Sequence, residues 1–178
     1  ALKDVVEAKD ITSMYTLLES TDAKYTAPLQ DAVISALGYM PKDKQFAEVS
    51  AKFAKTADNK KHLYYTTLAA TGDNKALDLI LEGFKSNNKA QKDAAFDALV
   101  SWKNINAADH LMAVCKDASA TAYFDRAIDA YIKLASNKTL TGENRLIYLR
   151  EAMAVAKTDK QKNAILKQVQ GTNTFQGL

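Results

Sequence analysis

The feature that most constrains this chain is an internal spacing. Laying QDAVISALG at 30–38 over QKDAAFDALVSW at 91–102 puts Asp31-Ala32 on Asp93-Ala94 and Ala36-Leu37 on Ala98-Leu99, 62 residues apart. Half of that interval, 31, carries Leu37 to Leu68 within HLYYTTLAAT. A step of 32 carries Leu99 to Tyr131 in FDRAIDAYIKLA, and a longer step of 38 carries Tyr131 to Val169 in NAILKQVQG. Periods of this size belong to stacked supersecondary units. A second amphipathic helix precedes each of these segments. Phe46, Val49 and Phe53 map at 31 onto Leu77, Ile80 and Phe84, and at 62 onto Ala108, Leu111 and Cys115, an i, i+3, i+7 face each time.

The spacing predicts an all-α chain, a right-handed α-solenoid of about five helix-turn-helix units at 8–40, 42–71, 73–103, 105–137 and 141–171, forming one domain over 1–178. Composition agrees, with 30 alanines against 6 glycines and 2 prolines, so helix formers abound and breakers are few. Short polar joints inside the units supply oxygens for helix caps: Ser20-Thr21-Asp22, Thr56-Ala57-Asp58, Ser86-Asn87-Asn88, Asp117-Ala118-Ser119 and Thr158-Asp159. Gly38 with Pro41, Gly72, Asn104 and Gly142 mark the joints between units. Helices of roughly 11 to 17 residues result. The longer last step predicts a longer first helix in the fifth unit, built on RLIYLREAMAVAK at 145–157. No unit covers its own apolar faces, so neighbours must stack. GTNTFQGL stops where another apolar helix could begin, so residue 178 reads as a cut end and the chain as a fragment of a larger protein.

DAVISALG and DAAFDALV resemble the second helix of HEAT repeats: a charged residue, alanine, apolar positions, then Ala-Leu-Gly. Thr67-Leu68-Ala69 and Gln168-Val169-Gln170 depart from that ending, and those units rest on spacing. A second resemblance covers the last fifth of the chain. TGENRLIYLREAMAVAKTDKQKNAILKQVQGTNTFQGL is similar to segments of large secreted bacterial proteins in which HEAT-like arrays accompany a 3-keto-disaccharide hydrolase domain. That resemblance implies a periplasmic or extracellular parent acting on carbohydrate, possessing a glycoside-type hydrolase domain, with this stretch as its non-catalytic neighbour. It carries over no catalytic residue.

Signatures of assembled chemistry are missing from the sequence: no CxxC, HExxH, GxSxG, Walker-type loop or GxGxxG occurs. Cys115 holds the register position of Phe53 and Phe84 and reads as a small apolar core side chain. His62 and His110, 48 positions apart, give no ligand spacing. The aromatic cluster Phe84, Phe96, Trp102, Tyr123, Phe124 and Tyr131 reads mostly as interhelical packing. Tyr64 and Tyr65, 100° apart on a helix, cannot both face inward, which makes Tyr65 the candidate for an exposed contact.

In solenoids the second helices line the concave surface, where partners usually bind. With the apolar centre at Leu29, Val33 and Leu37, the opposite face carries Asp31, His62, Asp93, Asp125 and Asn163 at one position and Ser35, Thr66, Asp97, Asp129 and Lys167 at the next. Asp93, Asp97, Asp125 and Asp129 thus gather four carboxylates on two neighbouring helices. They suit a basic segment of a partner, a divalent cation held by carboxylate oxygens, or a solvated face neutralised by Lys89, Lys92, Arg126 and Lys133. The net charge is only +3, from 24 Lys+Arg against 21 Asp+Glu, and these aspartates give the groove the wrong sign for nucleic acid. A basic concentration lies farther on, in Lys138, Arg145, Arg150, Lys157, Lys160, Lys162 and Lys167.

These readings converge on a non-catalytic protein-interaction or domain-organising scaffold. Its partner is another protein or a neighbouring domain of the same parent, with no nucleic acid, membrane insertion, cofactor or metal. Asp93, Asp97, Asp125, Asp129 and Tyr65 are the candidate contact residues. The rival is a HEAT-fold enzyme using concave carboxylates on DNA or a cofactor.

Overall fold

Helix pairs joined by tight turns account for the order of elements. A computed structural model describes residues 2–172, and over that range the chain is all helical, with no strand among the described residues. The ten α-helices described are α1 (Ile11–Ser20), α2 (Thr26–Gly38), α3 (Lys42–Lys55), α4 (Tyr65–Thr71), α5 (Asn74–Phe84), α6 (Lys89–Val100), α7 (Ala108–Lys116), α8 (Phe124–Ala135), α9 (Gly142–Val155) and α10 (Asp159–Gln170). Each odd-numbered helix packs on the even-numbered helix that follows it. The chain divides into two compact units, Ala1–Trp102 and Lys103–Leu178. Within the first, α4 packs on both α2 and α6; within the second, α8 packs on α10 and α7 on α9. The packing is repeat-like. The expectation of a cut end at 178 falls on 173–178, outside the described residues.

The register positions make the core. Val49, Ile80 and Leu111 on the first helices are fully buried, as are Leu68, Leu99 and Tyr131 on the second, with Leu37 nearly so. Removing such side chains from water supplies the main stabilisation, at about 1.5–3 kcal/mol each. Three of the five polar joints cap the following segment as expected. Asn88 Oδ1 accepts from Ala90 N at 3.0 Å, Asp117 Oδ1 from Ser119 N at 2.8 Å, and Thr158 with Gln161 forms a reciprocal capping box. The other two behave differently. Ser20 and Thr21 turn their hydroxyls back to the carbonyls of Thr16 and Leu17, and Thr56 donates to the carbonyl of Lys52, so these oxygens close the preceding helix.

Helix lengths run from 7 to 14 residues, shorter than the spacing suggests, because 3-10 turns take up part of several segments. The largest departure precedes α4. Residues Asp58–Leu63 form a 3-10 segment, and α4 itself begins only at Tyr65. Two neighbouring helices hold this segment. Gln30 of α2 donates through Nε2 to the Leu63 carbonyl at 2.7 Å, and Gln91 of α6 donates to the Asp58 carbonyl at 2.6 Å. α4 ends at Gly72, whose φ of 65° is the left-handed conformation that glycine adopts without strain. α9 runs 14 residues against 9 in α7, which takes up part of the longer last step.

Gly83 is required for a different reason. It is buried in α5, and a Cβ there would overlap the hydroxyl end of the Tyr65 ring. Gly83→Ala therefore costs about 1–3 kcal/mol despite alanine's better helix propensity. Urea unfolding should show the midpoint falling, and Tyr65→Leu in the same chain should recover part of the loss; an unchanged or raised midpoint would remove this constraint.

Candidate functional site

The four aspartates fall in pairs, one in each compact unit. On α6, Asp97 is exposed and Asp93 is half-buried, where Lys89, one turn earlier, pairs with it. That pair is an exposed i, i+4 contact of small energetic value. On α8, Asp125 and Asp129 are exposed, and Asp125 Oδ1 accepts from Gln161 Nε2 of α10 at 3.0 Å. Gln161 is buried, and its Oε1 also receives the amides of Lys157 and Thr158 at 2.9 and 3.1 Å. Asp125 is therefore tied into the α8–α10 packing. The faces opposite these carboxylates are fixed by buried Ala95, Phe96 and Leu99 on α6 and by Ala127, Ile128 and Tyr131 on α8.

The other positions of the predicted groove depart from it. Ser35 donates to the Lys3 carbonyl at 2.6 Å, and the 3-10 turn Leu2–Asp4 packs on α2, so the amino-terminal segment covers part of that helix face. His62 lies in the 3-10 segment and not on an α-helical face; it is half-buried and its Nδ1 has no hydrogen-bond partner. Among the described residues, no three His, Cys, Asp or Glu side chains form a group that could hold a metal ion. No described helix is long and apolar enough to cross a membrane.

Tyr65 corrects the expectation of an exposed contact, since it is only 2% exposed and Tyr64 is fully buried. Helical periodicity forbids two adjacent inward side chains, but Tyr64 closes the 3-10 segment and serves as the N-cap residue of α4, so the two are not successive α-helical positions. They diverge. Tyr64 reaches α1, with its ring 5.7 Å from that of Tyr15, while Tyr65 meets Phe53 of α3 edge-on at 5.5 Å.

Tyr64 also belongs to a polar cluster that sequence spacing could not disclose. Its hydroxyl donates to Glu19 Oε1 at 2.5 Å, and the same oxygen receives Lys52 Nζ at 2.7 Å and lies 3.3 Å from Thr56 Oγ1. The Lys52 ammonium sits 5.9 Å from the ring centroids of both Tyr15 and Tyr64. Burial alone would raise the Glu19 pKa, but hydrogen bonds from Lys52, Tyr64 and Thr56 outweigh it and hold the carboxyl below its ordinary value. Burial, reinforced by Glu19, pushes the Tyr64 phenol up, so it remains a donor. A parallel contact occurs in the second unit, where Tyr131 donates to Glu151 Oε2 at 2.7 Å. The carboxylates here are consumed by structure.

No family model matches the chain, and no curated protein or solved structure matches it.

Because Glu19 is depressed in the fold, it contributes stability above its unfolded pKa of about 4.3, and that contribution disappears as pH falls through the lower folded value. Wild type should thus lose more stability between neutral and strongly acid pH than Glu19→Gln does, read as converging urea midpoints; parallel curves would refute the coupling. Cys115 gives a second check. Burial pushes its thiol up to about 11, with Lys157 partly offsetting, and the side chain is buried. Iodoacetamide should modify Cys115 only as fast as the protein opens, and rapid labelling of the folded chain would contradict its packing.

Proposed function

We propose that this chain is a HEAT-like, right-handed α-solenoid of about five repeats that serves as a non-catalytic protein-interaction or domain-organising scaffold. One observation carries the reading: α6 and α8 each present acidic side chains on one face while the opposite face is locked into the core. Charges on rigid elements keep their positions before a partner arrives, which reduces the ordering cost of binding. Packing of α2, α4 and α6 in succession and the 31-residue register support the repeat assignment. The partner that fits such a face is a basic segment of another protein or of a neighbouring domain. The resemblance of 141–178 to secreted carbohydrate-processing bacterial proteins supports a larger exported parent as the setting for that partner, with this chain as its accessory array.

Asp97 and Asp129 are exposed, so Asp97→Lys and Asp129→Lys should shift stability by no more than about 0.5 kcal/mol. A fluorescent lysine-rich peptide should bind the full chain in a salt-dependent manner, and the double reversal should weaken it by about tenfold or more in anisotropy titrations. Equal affinity for a glutamate-rich peptide of the same length, or no response to charge reversal, would sink the reading.

A further inference from the structure

The first compact unit contains a cleft of about 350 Å³, at the lower end of ligand-pocket sizes, that the acidic helix face does not explain. Phe53 of α3, Tyr65 of α4 and Leu79 of α5 give it an apolar lining, and Gly83 leaves the room in which the hydroxyl end of Tyr65 lies. Tyr65 is 2% exposed, yet no described residue hydrogen-bonds its hydroxyl. The hydroxyl oxygen is not among the enclosed polar atoms left without a partner, so it stays open to solvent and within reach of a ligand N–H.

The charges around the cleft set the sign of that ligand. Lys61 lines it but is neutralised by Asp58, Nζ to Oδ1 at 2.7 Å. Glu82 lines it too and has no described cation paired with it. The rim of the cleft therefore carries an exposed carboxylate with no described cation on it. Burial first, then the negative charges of Glu82 and Asp58, raise the Tyr65 pKa, so the hydroxyl stays neutral in a negative field. Gln91 uses its amide nitrogen on the Asp58 carbonyl, which fixes the side chain and leaves Oε1 as an acceptor. The aromatic lining already accepts this kind of charge: Lys61 Nζ stands 5.5 Å from the Phe53 centroid.

We infer that this cleft binds a primary ammonium carried on a short alkyl stem, with the stem against Phe53, Tyr65 and Leu79 and the head between Glu82, the Tyr65 hydroxyl and Gln91. An ammonium has three N–H donors and no acceptor, which matches a carboxylate, a phenol oxygen and an amide oxygen. A carboxylate or phosphate ligand would meet Glu82 with like charge. A neutral stem of equal length would forgo the charge-assisted hydrogen bond to Glu82. The inference goes beyond the scaffold reading and stands on different residues.

Titration of n-butylammonium chloride into the full chain, followed by amide chemical shifts, tests it. Saturable shifts should centre on Tyr65, Glu82 and Gly83, with a Kd near the millimolar range expected for so small a ligand. Glu82→Gln should weaken binding about tenfold or more and Tyr65→Phe about threefold, while Asp93→Lys with Asp97→Lys should leave it unchanged. Butanol and butyrate should not compete. Binding of butanol with equal affinity, or full affinity in Glu82→Gln, would overturn the proposal, as would absence of saturable shifts. The source of the ammonium is read from a second probe, N-acetyl-Gly-Lys-Gly-amide. Tighter binding of this peptide than of butylammonium assigns the cleft to a lysine of a protein partner, and weaker binding assigns it to a free amine. If the acidic-face variants fail to bind lysine-rich peptide while butylammonium still binds, the two sites are separate.

Discussion

Close approach of helices through alanine is the constraint on which this structure depends. Ala32 and Ala36 of α2, Ala76 of α5, Ala95 of α6, Ala127 of α8 and Ala152 of α9 are completely removed from solvent. A methyl group loses no rotamer freedom on burial and lets helix axes approach to about 8 Å. Larger residues then fill the remaining space between helices: Phe96 against Phe84 at 5.4 Å, Tyr131 against Tyr148 at 6.1 Å. The same economy limits function. A helix 12 residues long that buries alanine, leucine and phenylalanine on one face has one remaining face for charge, and on α6 and α8 that face holds aspartates.

What the sequence disclosed and what it concealed divide along a physical line. Contacts that repeat every 31 residues were legible, because the same packing problem recurs at Leu37, Leu68, Leu99 and Tyr131 and selects large side chains there. Caps at Asn88, Asp117 and Thr158 were legible because they are local. The Glu19, Lys52, Thr56 and Tyr64 cluster was not, since Glu19 is 33 to 45 residues from the other three and nothing local links it to them. Nor was the seating of Ser35 on the Lys3 carbonyl. Periodicity also misled at one place. It assumed a continuous α-helix through Tyr64 and Tyr65, and the 3-10 segment before α4 rotates both rings inward.

Of the candidate site, the exposure of Asp97, Asp125 and Asp129 could be anticipated from their distance around the helix from the apolar stripe. Their individual fates could not. Asp93 is engaged by Lys89 of its own helix, whereas Asp125 is engaged by a glutamine 36 residues away, and only the fold distinguishes a carboxylate neutralised locally from one recruited to packing. The Tyr65 cleft had no sequence signature at all, because its chemistry depends on Gly83 being small at the point where a tyrosine from another helix arrives.

The glutamines that grip the Asp58–Leu63 segment have a consequence for how such an array can change over evolutionary time. Repeat arrays ordinarily grow and shrink by duplicating or losing whole modules, since each module touches only its neighbours. Here the Asp58–Leu63 segment receives a side chain from α2 before it and one from α6 after it, at two different carbonyls. Excising α3, the Asp58–Leu63 segment and α4 together would strand both amides, and a copied helix pair would need a glutamine on each side to be received in the same way. The segment thus ties the helices from α2 to α6 into a block exchangeable together and not one pair at a time.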